Sequence, residues 1–153
     1  MPDRNPQQQF DAVEDLLTRW LKERRQVLGK YTEIVVGMDG LLDQDALDER
    51  QKLLCQLLVD YVSAGHFEVY HEVLQEAEIF ADGSSSLAEK LMPAIGDTTE
   101  VILAYEEKYT SADHDGAKLK RDLSALGEVL ESRFLLEDKL IAGLHNSHRR
   151  QQG

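Results

Sequence analysis

Four long stretches of this chain place apolar residues at alternating steps of three and four, and that spacing admits one kind of element. An α-helix turns once in 3.6 residues, so such steps draw one stripe along a rod, whereas a strand alternates every second residue. Phe10, Val13, Leu17, Trp20, Leu28, Tyr31 and Val35 draw the first stripe, which predicts a helix over about residues 8–35. Gly37-Met38-Asp39-Gly40 suits a helix stop, and Asp43 or Asp45 is placed to cap a second helix, expected over about residues 45–80. Ala81-Asp82-Gly83-Ser84-Ser85-Ser86 reads as the next turn. Leu87, Leu91, Ile95, Thr98, Ile102, Tyr105 and Tyr109 mark the third helix, with Pro93 inside it. Proline removes a backbone donor and clashes with the preceding turn, so residues 87–92 form a short separate turn or the helix kinks there. Leu119, Leu123, Leu126, Leu130, Arg133, Glu137, Leu140 and Leu144 carry the fourth helix to about residue 147, beyond a Tyr109-to-Gly116 connection. Long helices with short connections imply antiparallel neighbours, so the expected fold is all-α, an up-down four-helix bundle. It forms one domain over residues 1–153, ordered over about 8–147, with a frayed N-terminal arm and a frayed basic tail from His145 onward.

The length, 153 residues, suits a single core and does not argue for two. Net charge is -12, and it is concentrated: residues 41–115 hold 17 acidic against 4 basic side chains. Such an acidic body repels a phosphate backbone, which disfavours direct nucleic-acid binding, and attracts a basic protein surface. The bland reading is a solvated face that only maintains solubility. Cys55 is the lone cysteine, which excludes an intrachain disulfide and fits a reducing compartment. No apolar segment follows Met1 and no run approaches membrane-spanning length, so a soluble cytoplasmic protein without a membrane partner is expected.

Within the second helix, Leu57 to Tyr70 breaks the simple pattern. Leu54, Leu58, Tyr61, Gly65 and Val69 form one apolar row and Leu53, Leu57, Ala64 and Phe67 an adjoining one, yet Asp60, Ser63 and His66 are threaded through the same turns. A buried polar group needs a partner, so these residues ask for one. Arg24 falls in the apolar register one turn beyond Trp20, where it either snorkels to the helix edge or answers a buried carboxylate. Arg133 and Glu137, spaced i and i+4, can meet on one face of the fourth helix. If that seam faces inward, the pair lies opposite Asp60, Ser63 and His66, where together they complete a polar network or line a cavity; a network that only fixes register is the structural alternative.

Catalytic and metal signatures are thin. A carboxylate-bridged metal site in a bundle uses two Glu-x-x-His motifs, and Glu68-Val69-Tyr70-His71 is the single match, so a metal-binding bundle enzyme or sensor is the runner-up reading. Asp113-His114-Asp115-Gly116 lacks the ligand spacing of a calcium loop, and there is no phosphate-binding Gly-rich loop or nucleophile elbow. No enzyme, cofactor or metal is expected.

Leu58-Val59-Asp60-Tyr61-Val62-Ser63-Ala64-Gly65-His66-Phe67 and Arg133-Phe134-Leu135-Leu136-Glu137-Asp138-Lys139-Leu140-Ile141 resemble the signature of the Rsd/AlgQ family of sigma regulators. Arg19-Trp20-Leu21 with Glu23-Arg24 resembles that family's first helix, and Asp113-His114-Asp115 its last loop; Leu144-His145-Asn146-Ser147-His148-Arg149 looks more like the AlgQ branch. The resemblance implies a bacterial anti-sigma factor that binds region 4 of the primary sigma factor, the region that reads the -35 promoter element and contacts core RNA polymerase. It implies no cofactor, and another regulatory protein partner remains an alternative. With this partner, Asp60 becomes the acceptor for a sigma Arg or Lys, and Tyr61, Phe67 and Tyr70 the aromatic contacts. Ser63 and His66 join them as partner-binding or supporting polar residues, and Arg24, Arg133 and Glu137 form the supporting shell. Gly65 costs a helix about 1 kcal/mol relative to Ala, which makes sense where another group approaches closely.

Overall fold

In the computed structural model, which describes residues 4–38, 40, 43–110 and 118–151, every regular element is helical and no strand occurs among those residues. Helix α1 spans Pro6–Gly37. It starts with a reciprocal cap: the Asn5 side chain accepts from the Gln8 N–H at 2.8 Å, and the Gln8 side chain accepts from the Asn5 N–H at 3.0 Å. Arg4 donates to Gln9 at 3.0 Å and Glu72 at 3.2 Å. Residues 4–7, expected in a frayed arm, are therefore tied down.

Helix α2, Gln44–Ala64, is capped by Asp43, whose carboxylate accepts from the Ala46 N–H at 2.8 Å. It runs on through a π-helical segment, Gly65–Val69, into α3, Tyr70–Phe80. The expected single second helix is thus one rod with a change of register inside it. The rod stops at Ala81, which adopts the left-handed conformation at φ 53°, and Gly83, two residues on, also has a positive φ of 82°. Helix α4, Ser85–Thr110, continues unbroken past Pro93 instead of beginning with a separate turn. Pro93 and Glu89, whose carbonyl loses its usual donor, are both exposed, so water can take the donor's place. The connection bearing Asp113-His114-Asp115 lies outside the described residues.

Helix α5, Leu119–Leu144, leads into a 3-10 helix, Asn146–Gln151. This corrects the expectation of a frayed tail from His145: His145 and His148 are fully buried. Carboxylates on distant elements, Glu14, Glu76 and Asp82, hold them there.

One contiguous cluster of buried side chains draws on every long helix. Along α1 it takes Val13, Trp20, Val27 and Ile34, a seven-residue repeat, while Leu28 and Val35 of the expected stripe are 40% and 38% exposed. Past Trp20 the stripe therefore keeps to the heptad that holds one seam against its neighbours. Leu54, Leu58, Tyr61, Gly65 and Val69 are all buried as one row, whereas Leu53 and Phe67 of the adjoining row face solvent. Between helices, Gln9 pairs with Glu72, Trp20 with Tyr61 and Glu33 with Arg50; Tyr31 bonds Leu123 and Arg24 bonds Glu137. In each set residue numbers rise on one helix as they fall on the other.

Candidate partner-binding surface

The polar interior is built around one carboxylate. Glu137 on α5 is completely buried, and each of its oxygens receives two donors. Oε1 accepts from the Tyr61 hydroxyl at 2.5 Å and Arg24 Nη2 at 3.2 Å; Oε2 accepts from the Tyr70 hydroxyl at 2.5 Å and Arg133 Nε at 3.0 Å. The tyrosine oxygens accept in turn, Tyr61 from Arg24 Nε at 3.0 Å and Tyr70 from Arg133 Nη2 at 2.9 Å. Arg133 spends its remaining donors on Thr98 at 3.1 Å and Thr99 at 2.7 Å, and Arg24 reaches Asp138 at 2.7 Å. A carboxylate, two guanidiniums and two phenols thus bond to one another across α1, α2, α3 and α5, and Thr98 and Thr99 join α4 to them.

Burial first, and the Glu137 charge second, push the Tyr61 and Tyr70 hydroxyls far above the ordinary tyrosine range, so both remain donors. For Arg24 burial acts the other way, but Tyr61, Asp138 and Glu137 together outweigh it and raise its pKa. Desolvating these charges offsets much of their attraction, so the network mainly supplies geometry.

That geometry positions the π-helical segment. Trp20 stacks on Tyr61 with ring centres 4.8 Å apart, donates to the Tyr61 carbonyl at 3.2 Å and meets Tyr70 edge-on at 5.9 Å. These rings occupy the space beside Gly65, where a Cβ would come within 3.1 Å of Trp20 and 3.2 Å of the Tyr70 hydroxyl. At the far end of the segment the Tyr70 N–H bonds to the Gly65 carbonyl, five residues back. The extra residue in this turn lets Val69 and Tyr70 face inward while His66, Phe67 and Glu68 face solvent. Phe67 is 74% exposed, the largest exposure among the exposed large apolar side chains described, with His66 edge-on at 4.8 Å.

The sequence-predicted residues therefore divide. Arg24, Arg133 and Glu137 come together, and Arg24 answers a buried carboxylate as one of its two readings required. Tyr61 and Tyr70 join them, with hydroxyls inside the network. Asp60, Ser63 and His66 do not complete it: Asp60 and His66 are exposed, Asp60 accepting from Gln56 at 3.0 Å, and Ser63 is half-buried. Asp60, His66 and Phe67 instead share the outer side of the same turns. Glu23, one residue before Arg24 on α1, is a member of this region that the family resemblance touches but the helical spacing does not set apart. Burial, with Asp60 and Glu68 nearby, raises its pKa, and its Oε2 lacks a hydrogen-bond partner among the described residues. Glu68 and His71 are both exposed, and no group of three or more His, Cys, Asp or Glu side chains among the described residues is arranged to hold a metal ion.

The structure is thus that of a helical protein whose self-satisfied polar interior braces an exposed aromatic on a run that also exposes Asp60 and Glu68. The chain belongs to the Rsd/AlgQ family, described as "Regulator of RNA polymerase sigma(70) subunit", with residues 3–145 matching. Among its relatives, the Regulator of sigma D of Salmonella arizonae is 40% identical over 134 residues, covering 82% of this chain and 79% of the relative. That of Pectobacterium atrosepticum is 36% identical over 141 residues, covering 86% and 89%, and that of Yersinia enterocolitica 31% identical over 142, covering 88% and 83%. No solved structure matches. No helix described is long and apolar enough to cross a membrane.

Proposed function

We propose that this protein is an anti-sigma factor that binds region 4 of the primary sigma factor and keeps it from core RNA polymerase and the -35 promoter element. It acts by occupancy, without a chemical step or cofactor, and in the cytoplasm where RNA polymerase works. The scaffold is a single-domain, up-down four-helix bundle, a reading supported by the opposed residue numbering of the cross-helix pairs. The carrying observation is the exposure of Phe67 on a segment whose inner side is clamped by Trp20 and the Glu137 network.

An exposed aromatic held rigid on a helix loses little entropy on docking, which suits it as an anchor. Asp60, Glu68 and Glu23 give its surroundings a negative field complementary to a basic, DNA-reading module. Tyr61 and Tyr70, expected as contacts, act here from beneath, by fixing the turn that presents Phe67. Capture of partners from a bacterial lysate by the full chain, followed by titration with isolated sigma region 4, tests the reading. Recovery of primary sigma without core polymerase, with direct binding to region 4, is the expected result. Recovery of sigma still bound to core polymerase, or failure of region 4 to bind, would refute sequestration.

A further inference from the structure

A second buried polar cluster lies where α1 begins and α3 ends, and the sigma-binding reading makes no use of it. Glu76 of α3 is fully buried between two fully buried histidines. His145 Nδ1 lies 2.6 Å from Glu76 Oε1 and its Nε2 lies 2.8 Å from Glu14 on α1. His148 Nδ1 contacts Glu76 Oε2, and its Nε2 lies 3.0 Å from Asp82 in the turn after α3. Each ring also stacks on an aromatic: Phe10 on His145 at 4.2 Å and Phe80 on His148 at 3.9 Å. Arg149 closes the edge, donating to Glu14 at 2.7 Å with its guanidinium 5.3 Å from the Phe10 ring centre.

The charge pattern dictates the protons. A neutral imidazole has one N–H donor and one lone pair, whereas a carboxylate accepts only. A ring with carboxylate oxygens at both nitrogens satisfies both only as the imidazolium. Among the described residues the charged groups facing the two rings are Glu14 from α1, Glu76 from α3, Asp82 from the turn after α3 and Arg149 from the 3-10 helix itself.

We propose that residues 145–149 are a proton-operated latch, closed on Glu76 while the His145 ring is an imidazolium and opened when that ring deprotonates, uncovering Phe10, Phe80 and Glu76. When a ring loses its proton, a lone pair faces a carboxylate and the buried Glu76 charge loses a donor. An uncompensated buried charge is strongly unfavourable, and lifting the 3-10 helix admits water to it.

The direction of the pH response is set by His145. Burial would lower its pKa, but hydrogen bonds and charge from Glu76 and Glu14 outweigh burial and raise it above 6.5. A raised histidine contributes stability in full below its ordinary range and loses it as pH climbs through the raised folded value. The latch is therefore closed below the ordinary histidine range and opens as pH climbs through the raised folded value. Burial likewise opposes the net shift at Glu14, whose carboxyl is lowered by His145 and Arg149; protonating it at strongly acid pH removes a latch partner from the other side.

Amide hydrogen exchange on the full chain, corrected for intrinsic base catalysis, tests this at about pH 6 and about pH 9, either side of the histidine range. Protection of residues 145–149 is expected to fall at least tenfold between the two, with amides around Leu58 and Glu137 unchanged. Ring-nitrogen NMR at the lower pH should show both nitrogens of His145 protonated. The double variant His145→Gln/His148→Gln should be poorly protected in this segment at both pH values, with no step. Protection retained at the higher pH, a singly protonated His145 ring at the lower one, loss in step with the whole bundle, or a step surviving in the variant would each overturn the latch.

Discussion

Tyr61 and Phe67 stand on one continuous helical run, yet Tyr61 is fully buried and Phe67 is 74% exposed. On the inner side, Tyr61 and Tyr70 give their hydroxyls to Glu137 and their faces or edges to Trp20. On the outer side, Asp60 accepts from Gln56 of its own helix, and His66 and Phe67 touch each other. The π-helical turn separates the two, because one extra residue between Gly65 and Tyr70 rotates the rest of the rod without breaking it. Interior polarity and surface polarity therefore have different tasks here. Inside, the charges around Glu137 pair with one another and the gain is a fixed register; outside, the groups stay exposed, and the proposed function assigns them to a partner.

Substitutions on the two sides should therefore move different quantities. The largest effect is expected inside: Glu137→Ala leaves Arg24 and Arg133 without their shared carboxylate and should cost about 3–5 kcal/mol in denaturant unfolding. A cost below about 1 kcal/mol would show that the network braces nothing. Gly65→Ala comes next. Its methyl group crowds Trp20 and the Tyr70 hydroxyl, and after the helix-propensity gain of Ala the net loss should be about 1–2 kcal/mol in unfolding. Because this change disturbs the wall between the two faces, binding should weaken with it, and unaltered binding would uncouple brace from surface. Asp60→Ala, outside, should be the smallest: about 1 kcal/mol, roughly fivefold, in affinity for sigma region 4, with unfolding unchanged. A lowered unfolding free energy with intact binding would return Asp60 to the interior.

Much of the helical fold is legible in the sequence because a stripe is an average over many residues and survives local errors. The rows through Leu54, Leu58 and Tyr61 and through Leu123, Leu126 and Leu130 are buried as their spacing predicts. Features that depend on one residue or on distant partners are not legible. The π-helical turn becomes intelligible only once Trp20 is seen filling the space beside Gly65. Pro93 suggests a break because its missing donor counts most in a buried helix, whereas its neighbourhood is solvated. His145 and His148 look like tail residues because their shared carboxylate, Glu76, lies 69 residues before His145. Around the candidate site, the spacing of Arg133 and Glu137 announces their pairing. It does not say that Tyr61 and Tyr70, rather than Asp60 and His66, complete the network, since that choice rests on a register shift within the turn.

The division between brace and surface is tested most directly on Phe67→Ala, measured both by unfolding and by binding to isolated sigma region 4. Affinity is expected to fall by about 2 kcal/mol, roughly thirtyfold, while the free energy of unfolding stays within about 0.5 kcal/mol of the unsubstituted protein. Undiminished affinity, or a loss of stability as large as the loss of binding, would contradict it.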